Sequence, residues 1–151
     1  MPPPTSEEVI VTASLTSDVA RVARGMREAL ALVDEVLELD HEIWESTLHI
    51  GSVEYYTSKD GPYPNNQMRI SVRPSAGVAA LHYADHDDPE VSDGYSFTPN
   101  SPTERVHLIF SGETGRLFPR SAVIPISDAR AALVEWLRTR ERPKCIKWRS
   151  E

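Results

Sequence analysis

A chain of 151 residues with a 40% apolar share can bury one ordinary core without disulfides or metals, so residues 1–151 read as a single domain with a loose, Pro-rich start over 1–6. Its net charge of −7 argues against direct binding of nucleic-acid phosphates, which draws on a surplus of Lys and Arg, and suits a basic protein partner instead. The lone Cys145 rules out an internal disulfide and a Cys-type zinc site. With no secretory signal and no apolar run of membrane-spanning length, the expected location is cytoplasmic.

The stretch EEVIVTASL favours a first strand through Val9, Ile10 and Val11. LTSDVARVARGMREALALVDEVLELD then predicts an N-terminal helix. Thr16 or Ser17 serves as its cap, and Val19, Val22, Ala23, Met26, Leu30, Val33 and Leu37 form one apolar stripe. Gly25 is its weak point, costing about 1 kcal/mol relative to Ala in a helix interior. STLHIGSVEYYTS reads as a strand and DGPYPNN as a loop. QMRISVR alternates cleanly, with Met68, Ile70 and Val72 on one side, and PSAG turns it into VAALHYA, giving a hairpin. DHDDPEVSDG and TPNSPT read as loops, ERVHLIFS as a strand, GETG as a tight turn, and RLFPRSAVIPI as a short extended piece.

The final helix is the best marked. Ser127 stands at the cap position, Asp128 in the first turn, and Arg138 and Arg140 in the last, where cations suit the helix dipole. Ala129, Ala132, Leu133, Trp136 and Leu137 make its buried face, and Pro143 forbids continuation. The order of elements gives an α+β fold: a mainly antiparallel sheet with an N-terminal and a C-terminal helix packed on it.

Chemistry-bearing motifs are few. There is no phosphate-cradling glycine loop and no Gly-x-Ser-x-Gly elbow. LHYADHDDPEVSD gathers His82, Asp85, His86, Asp87, Asp88, Glu90 and Asp93. Three readings are open for it: a divalent-metal site, a solvated acidic loop, or a negative patch offered to a basic partner. Against metal, four residues along a strand span about 13 Å, too far for His82 and His86 to share one ion unless the chain folds back. A second acidic run holds Asp34, Glu35, Glu38, Asp40, Glu42 and Glu45 with no Lys or Arg among them. It reads as the wet face of a helix or as part of the same negative surface. His41, His49 and His107 are scattered and lack a nucleophile to activate. Cys145, in an apolar closing segment, reads as a small buried hydrophobe, and Trp44, Trp136 and Trp148 as packing residues.

The segment SAVIPISDARAALVEWLRTRERPKCIKW resembles the C-terminal pattern of Imm family one, bacterial immunity proteins that accompany polymorphic toxins, notably nucleic-acid deaminases. The matching positions are Ser121, Ile124, Pro125, Ala129, Ala132, Leu133, Trp136, Leu137, Thr139, Arg142, Pro143, Ile146 and Trp148. The family's turn glycine is Arg140 here, which must extend the helix by a residue or accept strain. The resemblance implies a non-catalytic inhibitor with no cofactor and no catalytic or metal residues of its own, whose partner is a cognate toxin domain of deaminase type. Charge alone then nominates Asp85, Asp87, Asp88, Glu90 and Asp93 as contacts, Tyr95 as an aromatic anchor, and Glu38, Asp40 and Glu42 as a second patch. The alternatives are a metal-dependent enzyme built on His82, His86 and their carboxylates, and an acidic adaptor for some other basic protein.

Overall fold

Period-two alternation decides the first strand. In β1 (Ile10–Leu15), Val11, Ala13 and Leu15 are buried while Thr12 and Ser14 stay half-buried on the other face. The computed structural model describes residues 9–16, 18–51, 66–85, 93–97 and 106–149.

The helix predicted to start near Thr16 starts only at Gly25. Val19–Arg24 form a strand, β2, that pairs antiparallel with β1 over six residues, from Ile10 opposite Arg24 to Leu15 opposite Val19. Thr16 lies in the connecting turn at φ 48, and Ser17 falls outside the described residues. Gly25 makes the switch at φ 85, a left-handed value that costs a glycine nothing. The helix α1 (Gly25–Glu38) therefore buries Ala29, Leu32, Val33, Val36 and Leu37. Glu28 reaches back to accept the Arg24 N–H at 2.9 Å, and Arg21 donates to the Ala20 carbonyl at 3.3 Å. Both take up backbone groups of the outermost strand that another chain would otherwise recruit.

Next come β3 (Ser46–Gly51), β4 (Asn66–Arg73) and β5 (Val78–Asp85), the last two joined by a 3-10 turn over Pro74–Ala76. β6 (Asp93–Phe97) follows, and with it Asp93 and Gly94 of the expected acidic loop join the sheet. A separate small hairpin, β7 (Ile109–Ser111) and β8 (Arg116–Leu117), precedes β9 (Ile124–Pro125), α2 (Ile126–Thr139) and β10 (Lys147–Arg149). The main sheet runs β10-β6-β5-β4-β3-β1-β2, with β9 added beside β5, and every pairing is antiparallel. The fold is thus α+β, with a mainly antiparallel sheet and, among the described residues, two α-helices, the first of which follows two strands.

Both helices lie on one face. Met68, Ile70 and Val72 of β4 and Leu81 and Tyr83 of β5 meet α1 and the buried stripe Ala129, Ala132, Leu133, Trp136 and Leu137 of α2 in one apolar cluster. The opposite face is covered in part by the β7–β8 hairpin. There Ala80, Tyr95, Leu108, Phe118, Ala122 and Val123 form a second, smaller cluster.

The C-terminal segment works as scaffold. β10 pairs with β6, and Trp148 packs half-buried against the main cluster while its Nε1 donates to the Pro143 carbonyl at 2.7 Å. Ser127 is not the cap of α2: Pro125 holds that place, without a side-chain bond. Cys145 is exposed, contrary to expectation, because its N–H and that of Lys144 turn inward to the Glu135 carboxylate at 3.2 and 2.5 Å. Partial burial and that carboxylate push the thiol up, away from the reactive thiolate.

At Arg140 the backbone takes the left-handed choice, φ 58, with its N–H donating to the Trp136 carbonyl at 2.7 Å. A non-glycine residue there carries steric cost. Arg140→Gly is expected to raise the unfolding free energy by about 0.5–1 kcal/mol, the relief being offset in part by the greater freedom of glycine in the unfolded chain. A higher urea midpoint at unchanged m-value is the check.

Candidate functional site

β5 ends at Asp85 and β6 begins at Asp93, and the two strands pair antiparallel. Asp85 shares the helix-covered face with Tyr83, whose hydroxyl donates to its Oδ2 at 2.6 Å. Asp93 stands opposite Ala84 on the other face, exposed, with Oδ2 at 3.7 Å from His82 Nε2. The two carboxylates therefore share an end of the sheet but not a face. His86, Asp87, Asp88 and Glu90 lie outside the described residues.

Tyr95 is only 8% exposed. Its ring lies 4.7 Å from His82 and 5.6 Å from Phe110, and its hydroxyl accepts from Arg116 Nη2 at 2.8 Å. It props the hairpin against the sheet from beneath. His82 is buried beside it. Desolvation pushes its pKa down, the Asp93 charge opposes this, and Arg69 and Arg116 reinforce it. Among the described residues, no three His, Cys, Asp or Glu side chains converge as ligands would.

The second acidic run looks different in space than in sequence. Asp34 pairs with Arg130 at 2.8 Å, Glu35 with Arg21 at 3.4 Å, Asp40 with Arg73 at 3.3 Å, and Glu45 with Arg69 at 2.7 Å. Arginines from β2, β4 and α2 interleave with carboxylates that the chain keeps free of them locally. Glu38 and Glu42 are exposed and have no ion-pair partner among the described residues. Across all the described residues, acidic and basic side chains balance, so the chain's negative surplus falls elsewhere: on Glu7 and Glu8, on 52–65, on 86–92 and on Glu151. Described strand ends share one end of the sheet: Asn66 stands opposite Asp85, Asp93 opposite Ala84, and Ile10 opposite Gly51.

The connection between α1 and β3, residues 39–45, carries what sequence reading missed. His41 is fully buried: its N–H donates to the Val72 carbonyl at 2.9 Å, Nδ1 to the Leu39 carbonyl at 3.0 Å, and Nε2 accepts from the Ser46 hydroxyl at 2.7 Å. Burial pushes its pKa down, and the neutral ring suits these bonds. At the other end, Glu45 accepts the Gly112 N–H at 3.0 Å through Oε1 and Arg69 Nη1 at 2.7 Å through Oε2. Gly112 has no room for a side chain, because a Cβ would strike the Trp44 ring and the Ile43 carbonyl. Between these two anchorages Ile43 is 67% exposed. The signal was present in DHEIWE: an apolar residue six positions after Leu37, off the stripe that Val33 and Leu37 define.

Residues 17–150 match the family described as Immunity protein Imm1. No curated protein and no solved structure matches the chain. No helix among the described residues is long and apolar enough to cross a membrane.

Proposed function

Since this chain belongs to the Imm1 family of immunity proteins, we propose that it neutralises a cognate toxin domain in the cytoplasm by binding it, without catalysis of its own, and that the toxin is a nucleic-acid deaminase. The match over 17–150 carries the immunity role. The mechanism we favour is occlusion of the toxin's cationic substrate cleft. A domain that handles DNA or RNA needs basic groups along the phosphate path, and an acidic inhibitor competes for them. The support for this is the charge: acidic and basic side chains balance among the described residues, and three acids of the surplus fall in sequence between Asp85 and Asp93, which stand at one end of the sheet. Asp85, Asp87, Asp88, Glu90 and Asp93 are the proposed contacts at that end, with Tyr95 holding its own strand in place and Glu38, Asp40 and Glu42 as a secondary patch.

The test is co-expression with the toxin encoded by the neighbouring gene. A deaminase is recognisable there by a His-x-Glu and a Pro-Cys-x-x-Cys signature. Rescue of growth is the expected result, and failure of rescue by soluble protein counts against the reading. The triple change Asp85→Asn, Asp87→Asn and Asp88→Asn is expected to slow association at low salt and to flatten its dependence on ionic strength. Association kinetics identical to the parent at low salt would remove the acidic end from the mechanism and leave the immunity role standing.

A further inference from the structure

The geometry points to the 39–45 loop as a preformed anchor that seats Ile43 in an apolar recess of the toxin domain, a recess rimmed by Lys or Arg. This rests on the immunity reading above and adds an apolar anchor to the second patch, which charge alone had nominated without it.

A single exposed apolar residue is ordinary on a protein surface. Three things set Ile43 apart. Its exposure, 67%, is well above the 37%, 39% and 42% of Val19, Val22 and Leu117, all of which sit on strands. It belongs to neither apolar cluster, so its burial contributes little to the fold. The backbone that presents it is held from both sides, by His41 through Val72 and Ser46 and by Glu45 through Arg69 and Gly112, with Trp44 closed over Gly112. A loop fixed before docking loses less conformational freedom on binding, which improves affinity without any new contact.

The surroundings specify the partner's chemistry. Glu38 and Glu42 precede Ile43 along the chain, exposed and without an ion-pair partner among the described residues, while Asp40 is already paired with Arg73. An exposed apolar side chain next to an exposed carboxylate suits the centre and polar rim of a binding hot spot. Its complement is an apolar depression edged by basic side chains. A second copy of this chain would bring like charges together at that rim, so the partner is a cationic protein.

The probe is the toxin domain from the neighbouring gene, inactivated at its catalytic glutamate, with binding measured by calorimetry or interferometry. Ile43→Arg is expected to weaken binding at least about 30-fold, the scale of a lost hot spot, with an unchanged melting temperature. Ile43→Ser, which adds no charge, is expected to weaken it about 10-fold. Leu117→Arg, a control at another exposed apolar position, is expected to stay within about threefold of the parent. Tight binding by the parent together with threefold or smaller effects at Ile43 would overturn the anchor and leave the immunity role intact. Failure of the parent chain to bind or rescue would overturn the immunity reading and the anchor together.

Discussion

Replacing Trp136 by alanine is expected to cost about 3–5 kcal/mol of unfolding free energy, a larger effect than any change at Arg140 or Ile43. The indole is fully buried on the inner face of α2. It meets Tyr83 of β5 edge-on, with centroids 6.2 Å apart and planes at 80°, and Tyr83 in turn lies 6.0 Å from Trp148 of β10. These three rings tie the helix, the middle of the sheet and its last strand together, so a cavity at Trp136 loosens elements far apart in sequence. For a chain of 151 residues the loss corresponds to roughly 10 °C or more in melting temperature. The indole also has a cost of its own: its Nε1 is buried with no hydrogen-bond partner among the described residues. Trp136→Phe keeps most of the ring volume and removes the unpaired donor, so it should cost well under half of the alanine change. Urea unfolding of both variants reads the difference. A loss under about 1 kcal/mol for Trp136→Ala would show that the aromatic stack is not what holds α2 to the sheet.

How far the sequence foretells this architecture depends on whether local pattern or distant pairing sets each element. α2 was legible in full along its buried side, Ala129 to Leu137, because one apolar stripe at helical spacing admits one packing. The β4–β5 hairpin was legible because Met68, Ile70 and Val72 alternate and PSAG supplies the turn. The first helix is eight or nine residues shorter than its apolar spacing suggests. Val19, Val22 and Ala23 fit a helical stripe, but Val19, Arg21 and Ala23 fit a strand face as well, and a six-residue pairing with β1 decided between them. β6 escapes a local reading because Asp93 and Gly94 are poor strand formers. Its place between β5 and β10 comes from partners that no local window contains.

The surface was legible in composition and less so in arrangement. The acidic run from Asp34 to Glu45 contains no Lys or Arg, yet most of it is paired in space, Asp34 with a residue 96 positions away and Glu45 with one 24 away. Charge read along a chain therefore overstates the field it produces. What stays unpaired of that run among the described residues, Glu38 and Glu42, lies ahead of Ile43, whose place off the helical stripe was the one local sign of its exposure. Only the anchorage of its loop gives it meaning.

Glu45 is where that anchorage can be cut without touching Ile43. Its side chain is 12% exposed and Arg69's is 20%. One oxygen accepts from the Arg69 guanidinium and the other from the Gly112 N–H. Glu45→Ala leaves a largely buried positive charge without its counterion and a backbone donor without its acceptor, an expected loss of about 2–4 kcal/mol. The lower half of that range is favoured, because Arg69 Nη1 keeps the Phe110 carbonyl at 2.6 Å and its guanidinium stays 4.5 Å above the Phe110 ring. Combining Glu45→Ala with Arg69→Met should cost less than the two single changes added together, since the second removes the charge that the first leaves uncompensated. Coupling near zero would mean that the pair contributes nothing to the fold. The functional consequence is separable from stability. With Glu45 gone, the loop keeps its His41 anchorage but loses its tie to the β7–β8 hairpin, so Ile43 is presented by a looser backbone. Below the melting transition, Glu45→Ala is therefore expected to weaken toxin binding chiefly through faster dissociation, although the anchoring side chain itself is unaltered. Unchanged dissociation in a variant that is measurably destabilised would show that the tether serves the fold alone.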